Sequence, residues 1–263
     1  MNATVFIGGG RITSALIAGL RLGGYRHRIV VHDHNPAKLR KLSKQYGITP
    51  ESDLQRAVRI AKLLVIAVRP DSVAELLQNV GSIDRPLVAV SLAAGIPLTW
   101  LRARLGGPVR WARAMPSPVC RTGNGLTALT FPRGFPTRDR RLVQDFFRNV
   151  GTVLEIPESQ FDAFTVTYSS SHGYHALATL AQAAEKIGLA RKHAIIAAAH
   201  ALADGILSWR ESDMPLDDLI GEAATPGGIA AAVMQAMDDA GYTRIVQKGL
   251  RAGLARARVN ARS

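Results

Sequence analysis

Short apolar runs alternate with amphipathic segments through the first half of the chain. Residues 63–68 (Leu-Leu-Val-Ile-Ala-Val) are continuously apolar, as in a strand that is buried on both faces. Similar runs predict strands at residues 2–7, 29–32, 87–91, 109–114, 126–130 and 152–156. Helical spacing predicts helices at residues 12–22, 37–46, 72–80, 98–105 and 137–150. This alternation predicts a doubly wound α/β domain over residues 1–156, in which a parallel sheet carries helices on both faces.

The pattern changes after Pro157. Residues 161–258 are rich in alanine and leucine at helical spacing, and strand signals are few. We expect helices at residues 176–187, 192–209, 216–222, 228–240 and 243–259. Their apolar stripes are too rich for a solvated bundle. Residues 157–263 are therefore predicted to form an all-helical domain that buries apolar surface against a second copy of the chain.

The chain of 263 residues has a formal net charge of +13. A basic protein can bind nucleic acid, but aromatic residues, which would stack on bases, make up only 6%. The densest basic stretch is the tail, whose spacing predicts a solvated helix face formed by Arg244, Lys248, Arg251, Arg256, Arg258 and Arg262. We expect no nucleic-acid partner.

The apolar runs and the cysteine content indicate the cellular compartment in which the protein works. No apolar run reaches the roughly 18 residues of a membrane helix, and no basic segment precedes an apolar one at the start of the chain. Cys120 is the one cysteine, so no internal disulfide can form. We expect a cytoplasmic protein with no membrane partner.

Two sets of reactive side chains are interpreted as structural. Cys120 has no obvious base near it in the sequence, which favours a small buried hydrophobic residue over a nucleophile. His27, His32 and His34 are close in sequence, but a metal site would need further ligands in a fixed geometry, and we expect none.

A glycine turn follows the first predicted strand and opens the first helix. It reads Gly8-Gly9-Gly10-Arg11-Ile12-Thr13. Glycines at its first and third positions allow a tight turn and a close approach of backbone to a pyrophosphate, and the helix N-terminus supplies N–H groups. The last motif position is Thr13 instead of Gly or Ala. The context favours dinucleotide binding, and the alternative is a purely structural turn.

The end of the second predicted strand leaves the choice of coenzyme open. Asp33 lies where a carboxylate can bind the adenosine ribose and so favour NAD. The residues after it, His34, Asn35, Lys38 and Arg40, can instead hold the 2′-phosphate of NADP. A third interpretation is a turn that caps the next helix.

Several segments, in order along the chain, resemble the pyrroline-5-carboxylate reductase family. Residues 8–20 resemble its Gly-x-Gly-Asn-Met-Ala followed by Ala-Leu-Ile-x-Gly-Leu. Residues 67–70 (Ala-Val-Arg-Pro) resemble Ala-Val-Lys-Pro, and residues 91–96 (Ser-Leu-Ala-Ala-Gly-Ile) resemble Ser-Ile-Ala-Ala-Gly-Ile. Residues 113–117 (Arg-Ala-Met-Pro-Ser) resemble Arg-x-Met-Pro-Asn, and residues 224–228 (Ala-Thr-Pro-Gly-Gly) resemble Ser-Pro-Gly-Gly. The match covers nearly the whole chain.

The resemblance implies a Rossmann domain followed by a helical domain that dimerises by intertwining, in a homodimer or a higher oligomer. It implies reduction of a C=N bond in a small cyclic imino acid, by default 1-pyrroline-5-carboxylate to proline, with NADP or else NAD as coenzyme. Motif and resemblance together assign the coenzyme to Gly8, Gly10, Arg11, Ile12, His34, Asn35, Ala67, Val68, Arg69, Pro70 and Ala93. The substrate, which the resemblance places between the domains, is assigned to Met115, Ser170, Thr225, Gly227 and Gly228.

At the substrate end the sequence departs from the family. The family's Leu-Ser-Gly-Ser-Gly-Pro-Ala-Tyr becomes residues 168–175, in which Ser170 and His172 replace glycines and Gly173 replaces the helix-starting proline. The family's Thr after Pro-Gly-Gly, whose hydroxyl bonds the ring nitrogen, becomes Ala230. The substrate end is thus rewritten, whereas the nucleotide end is mostly kept.

We expect His172 and Ser171 to be the catalytic residues, because an imidazole can donate a proton near neutral pH. The alternative is that His172 and His175 are ordinary helix-surface residues. Three further functions stay open: a paralogue acting on another imine or carbonyl, a coenzyme-binding protein without catalysis, and a β-hydroxyacid type of dehydrogenase. The last would use Lys186, whose Lys-x-Gly-Leu-x-Arg context fits the reductase family better.

Overall fold

The computed structural model describes residues 3–261, which group into two compact units. One unit holds residues 3–168 and 253–261, and the other is Ser169–Ala252. The sequence predicted a division between residues 156 and 157, which lies one helix earlier along the chain. Residue 2, which was predicted to belong to the first strand, lies outside the described residues.

The first unit is built on an eight-stranded sheet in the order β3-β2-β1-β4-β5-β6-β7-β8. The strands are β1 (Ala3–Ile7), β2 (Arg28–His32), β3 (Thr49–Glu51), β4 (Ala61–Ile66), β5 (Leu87–Ser91), β6 (Val109–Pro116), β7 (Gly125–Thr130) and β8 (Gly151–Glu155). Neighbouring strands are parallel except β6 and β7, which are antiparallel. The predicted doubly wound α/β fold is confirmed. The prediction of an entirely parallel sheet is wrong at β7. This strand runs antiparallel to β6 because the eight-residue connection 117–124 is too short for a parallel crossover.

Helices cover both faces of this sheet. They are α1 (Arg11–Leu22), α2 (Pro36–Tyr46), α3 (Leu54–Ile60), α4 (Val73–Val80), α5 (Leu98–Arg104), α6 (Thr137–Arg148) and α7 (Glu158–Thr167). Successive residues of β1 point to opposite faces, so Phe6 joins a core with Leu16 and Phe147, whereas Val5 joins a core with Leu77. The sequence did not predict the short elements β3 and α3. The N-cap of α3 is Asp53, whose carboxylate accepts the Arg56 N–H at 2.9 Å.

A buried arginine fixes α7 to the sheet. Arg113 on β6 is 1% exposed; its Nη2 lies 2.6 Å from Asp162 and its Nη1 lies 3.4 Å from Glu158. The guanidinium also stacks on the Phe161 ring, 4.4 Å from its centroid. The end of the helix is held separately, because the Tyr168 hydroxyl donates to Leu126 O at 2.9 Å. These bonds explain why α7 belongs to the first unit.

The second unit consists of helices. They are α8 (Ser170–Lys186), α9 (Arg191–Glu211), α10 (Leu216–Ala223), α11 (Ile229–Asp239) and the first part of α12 (Tyr242–Asn260). α8 and α9 pack through Ala181, Ala194 and Ala198, which are buried. Large apolar side chains lie exposed on the same unit, including Ile187 at 87% and Ile229 at 88%. The tail was predicted to be a solvated helix face, and its basic residues are exposed on α12; Arg262 lies outside the described residues.

We expect replacement of Arg113 by methionine to lower the free energy of unfolding by about 2 kcal/mol, because two partly exposed carboxylates lose their hydrogen-bonded partner. Urea unfolding followed by circular dichroism measures this change. The matched control is Arg148→Met, which breaks the exposed pair with Asp145 and should cost less than about 1 kcal/mol. Equal losses in the two variants would contradict the role given to Arg113.

Candidate functional site

The glycine turn lies at the carboxyl edge of the sheet, directly after β1. Gly8 has φ +106°, and a Cβ there would lie 2.7 Å from Ala67 O, so side chains other than glycine do not fit. Two backbone bonds hold the turn: Gly8 N–H donates to His32 O and Ala67 N–H donates to Ile7 O, both at 2.8 Å. The ends of β1, β2 and β4 therefore meet at this point.

At the third position of the turn, neither the backbone conformation nor the packing within the protein requires a glycine. Gly10 has an ordinary φ of −79° and a Cβ there would meet no heavy atom within 4 Å. It is the N-cap of α1, and no side chain caps the first N–H groups of that helix. A glycine that neither backbone conformation nor packing requires, at an uncapped helix start, fits the close approach of a pyrophosphate.

Thr13 fills the last position of the motif. It is fully buried, and its hydroxyl donates to Gly8 O at 2.6 Å. The threonine therefore ties the first turn of α1 back to the glycine turn. The sequence identified this departure from Gly or Ala but did not predict the hydrogen bond.

Asp33, just after β2, is part of the same turn. Its carboxylate accepts N–H groups of Gly9 at 2.7 Å and Asn35 at 2.8 Å, and Lys38 Nζ lies 3.4 Å away. Burial raises the pKa of Asp33, but the bonds from Asn35 and Gly9 and the charge of Lys38 outweigh burial and bring the pKa below its ordinary value. Asp33 is therefore an anion that supports the glycine turn.

The residues after Asp33 differ in exposure. His34 presents a side chain that is 93% exposed, and Lys38 is 45% exposed. Asn35 is the N-cap of α2, where its side chain accepts the Ala37 N–H at 2.9 Å. The capping interpretation thus holds for Asn35, while His34 and Lys38 are available to a ligand at the same edge.

The other predicted coenzyme residues lie along this edge. Ala67 and Val68 are half-buried after β4, Arg69 is exposed, and Pro70 begins a short 3-10 turn. Ala93 follows β5 and is buried. Arg11 and Ile12 form the first turn of α1, with Arg11 exposed. The structure therefore brings the predicted coenzyme residues to the carboxyl ends of four neighbouring strands, the edge at which parallel α/β sheets bind ligands. Met115, near the end of β6, lies in the same unit.

The remaining predicted substrate residues lie in the second unit, at the starts of two helices. Ser170, Ser171 and His172 form the first turn of α8 and are exposed; Ser169 Oγ and Ser171 Oγ lie 2.7 Å apart. This helix begins six residues before the predicted start at 176. Thr225, Gly227 and Gly228 form the turn before α11, with Gly227 at φ +78° and no side chain capping the helix at Gly228.

The sequence also raised a nucleophilic cysteine, a catalytic lysine, a metal site and a membrane helix as possible features. Cys120 is buried, and burial raises the pKa of its thiol. Lys186 is the exposed last residue of α8. Across residues 3–261 no three His, Cys, Asp or Glu side chains are grouped as metal ligands would be. No helix in this range is long and apolar enough to cross a membrane.

Comparison with known proteins gives matches over both halves. Residues 4–95 match the family model described as NADP oxidoreductase coenzyme F420-dependent, and residues 158–259 match that for pyrroline-5-carboxylate reductase dimerisation. Pyrroline-5-carboxylate reductase of Mycobacterium leprae is 29% identical, over 98% of this chain and 96% of that protein. The reductase of Escherichia coli is 28% identical over 92% of this chain and 91% of that protein.

Solved structures share the fold. Plasmodium falciparum pyrroline carboxylate reductase with NADP bound has a TM-score of 0.85 at 20% identity, covering 99% of this chain and 98% of that one. An Aspergillus terreus reductive aminase in complex with NADPH and ethyl levulinate has a TM-score of 0.63 at 13% identity. The match covers 86% of this chain and 78% of that one.

The two outer glycines of the turn should respond differently to alanine. We expect Gly10→Ala to leave the thermal midpoint nearly unchanged and to weaken NADPH binding about tenfold or more, equivalent to about 1.4 kcal/mol. Gly8→Ala should lower the thermal midpoint, because its Cβ meets Ala67 O in a strained backbone conformation. Thermal unfolding and NADPH fluorescence titration measure the two effects. Unchanged NADPH affinity in Gly10→Ala would contradict the ligand-based explanation for this glycine.

The ionised Asp33 should make stability depend on pH. Since its pKa is below the ordinary 3.8, its contribution is present above that pH and is lost as pH falls through the folded-state value. We expect Asp33→Asn to be less stable than the original chain at pH 7, with the difference shrinking below about pH 4. Urea midpoints at several pH values test this against Asp84→Asn, an exposed control. A difference that is independent of pH would exclude the ionised role.

Proposed function

As the chain belongs to the pyrroline-5-carboxylate reductase family, we propose that it reduces the C=N bond of 1-pyrroline-5-carboxylate to give proline. Similarity to named reductases over 98% of the chain carries this proposal, because it includes both compact units. In the reaction the ring carbon receives a hydride and the ring nitrogen a proton. The bound nicotinamide coenzyme supplies the hydride.

The first unit binds the coenzyme, for which NADP is proposed. Gly10 and the uncapped N–H groups of α1 receive the pyrophosphate, and the exposed Arg11 adds a positive charge beside it. Asp33 has both carboxylate oxygens engaged by its own turn and by Lys38. His34, whose side chain is 93% exposed, is then left to face a 2′-phosphate, with the Lys38 ammonium paired to Asp33 beside it, which favours NADP over NAD. Ala67, Val68, Arg69, Pro70 and Ala93 complete the proposed site.

The second unit supplies groups for the imino acid. The turn before α11 offers the Gly227 N–H and the uncapped first N–H groups of α11 to the substrate carboxylate, while the Gly228 N–H donates to Thr225 O at 2.8 Å and holds the turn. Ser170 completes the proposed substrate contacts of this unit. Ala230 has no hydroxyl to give to the ring nitrogen, so we assign that proton to His172, helped by Ser171.

The working protein is proposed to be a homodimer formed through its C-terminal helices. The match to a reductase dimerisation family model covers residues 158–259. The exposed Ile187, Ile229 and other large apolar side chains of the second unit give such an interface its apolar surface. A reducing cytoplasm suits a chain whose one thiol, Cys120, is buried and unpaired.

A second candidate is a paralogue that reduces another imine or a carbonyl. It is favoured by the loss of the family hydroxyl at Ala230 and by the serines and histidines of residues 170–175. The same fold also occurs in the Aspergillus terreus reductive aminase, an enzyme that is named for the formation of amines.

Absorbance at 340 nm during incubation with NADPH, NADH and 1-pyrroline-5-carboxylate tests the proposal. We expect oxidation of NADPH that saturates with the imine. Gly10→Ala should oxidise NADPH more slowly than the original chain at coenzyme concentrations that just saturate the original chain, because its affinity is about tenfold weaker. Other cyclic imines and ketones with primary amines serve as alternative substrates. Coenzyme binding without turnover of 1-pyrroline-5-carboxylate would reject the proline assignment, and turnover of another imine would establish the paralogue.

The assignment of His172 predicts a kinetic effect without a binding effect. We expect His172→Ala to lower kcat by about 10²-fold or more while the dissociation constant of NADPH stays unchanged. The control is His200→Ala, an exposed histidine paired with Asp204, which should retain kcat. If both variants turn over at the original rate, the proton comes from another group.

A further inference from the structure

The end of the C-terminal helix α12 lies against the loop that follows β5. Although α12 begins at Tyr242, its last part, from Gly253 onward, groups with the first unit. Ala257 there is 6% exposed, whereas its neighbours Arg256 and Arg258 are exposed. One side of this helix end is therefore packed and the other is solvated.

The contact is made between backbones. Gly95 has φ +78°, and a Cβ on it would lie 2.9 Å from Ala257 Cα and closer still to Ala257 O. Two residues with almost no side chain thus allow the helix and the loop to touch. Asn260, one turn further on, donates from its side-chain amide to Ala94 O at 3.2 Å. The loop meets a small residue and a hydrogen-bond donor on the same helix face.

The helix end has an anchor of its own on α7. A Cβ on Gly253 would lie 3.1 Å from Val166 Cγ1, so α12 approaches α7 closely at this point. α7 is fixed in turn by the ion pairs of Arg113. The last two turns of α12 are therefore packed against the first unit at Gly253, Ala257 and Asn260.

The loop itself is held at its start by the sheet. Leu92 N–H donates to Ile66 O at 2.9 Å, and Ala93 N–H donates to Ser91 Oγ at 3.2 Å. These bonds fix the loop where it leaves β5. The following turn, Ala94–Gly95, carries the contacts to α12. Ala93, which the proposed function assigns to the coenzyme, lies between the two anchors.

We propose that Ala257 and Asn260 are positioning residues for the coenzyme. They hold the turn Ala94–Gly95 against the end of α12 and so keep Ala93 at the distance from the glycine turn that the coenzyme requires. Neither residue needs to touch the coenzyme. The inference rests on the proposed function, because it takes Ala93 to be a coenzyme contact.

The test compares NADPH affinity with stability in matched variants. Asn260→Ala removes the donor to Ala94 O and should weaken NADPH binding about fivefold, the loss expected for one ordinary hydrogen bond. The KM for NADPH should rise by the same factor, while the KM for the imine stays near its original value and the thermal midpoint without coenzyme falls by no more than about 3 °C. A merely structural contact would lower the midpoint and leave NADPH affinity unchanged.

A pair of glycine variants separates the contact from backbone strain. Gly95 and Gly107 both have positive φ, but a Cβ on Gly107 would meet no heavy atom within 4 Å. Gly95→Ala should therefore weaken NADPH binding more than Asn260→Ala does, whereas Gly107→Ala should lose stability only. If Gly95→Ala does not fold, Asn260→Ala decides the outcome alone.

The outcomes distinguish this inference from the proposed function. If the original chain binds NADPH and Asn260→Ala binds it equally well, the positioning role is overturned and the proposed function stands. If the original chain binds neither NADPH nor NADH, both are overturned. Weaker NADPH binding in Asn260→Ala with a thermal midpoint within about 3 °C of the original supports the inference.

Discussion

The approach of Gly8 to Ala67 is the contact on which the candidate coenzyme site depends. It brings the backbone after β1 against the backbone after β4, and any Cβ at Gly8 would prevent it. The bonds from Gly8 to His32 O and from Ala67 to Ile7 O add the end of β2. Because the turn is fixed by three strands, α1 begins at a fixed place with its N–H groups directed at the sheet edge. A phosphate site made of backbone groups requires this rigidity, since the groups cannot adjust by rotating a side chain.

Asp33 places a buried negative charge at the same edge of the sheet. Its carboxylate is buried and is stabilised as an anion by two backbone N–H groups and Lys38. A carboxylate committed in this way supports the glycine turn first and has less capacity left for ribose hydroxyls. In the proposed function, recognition of the adenosine end is therefore assigned to exposed side chains such as His34. This division explains why an aspartate after β2 does not by itself decide between NAD and NADP.

Sequence patterns predicted what local periodicity controls. The buried strand predicted at residues 63–68, which the structure has at Ala61–Ile66, and the helical second half were evident in the order of apolar residues. The glycine turn was evident from its motif. What they did not predict depends on contacts between distant residues: the antiparallel direction of β7, the bond from Gly9 to Asp33, and the return of α12 to Gly95. The one available signal for the last of these was a glycine in a segment that also matched the family motif. The start of α8 at Ser170 was missed because serines and a histidine are weak helix formers, and the N-terminal turn tolerates them.

The two ends of the proposed active site differ in how freely a sequence can change them. At the coenzyme end the important groups are backbone atoms, and their positions depend on glycines, strand ends and buried side chains such as Thr13. A substitution at Gly8 or Thr13 alters the fold of the turn itself. At the substrate end, Ser170, His172 and Ala230 are exposed in the first turns of two helices, away from the buried alanines that pack α8 against α9. Exposed positions can exchange donors with little effect on stability. The departures from the family therefore fall where they can redirect the chemistry of substrate recognition while the coenzyme end and the fold remain intact.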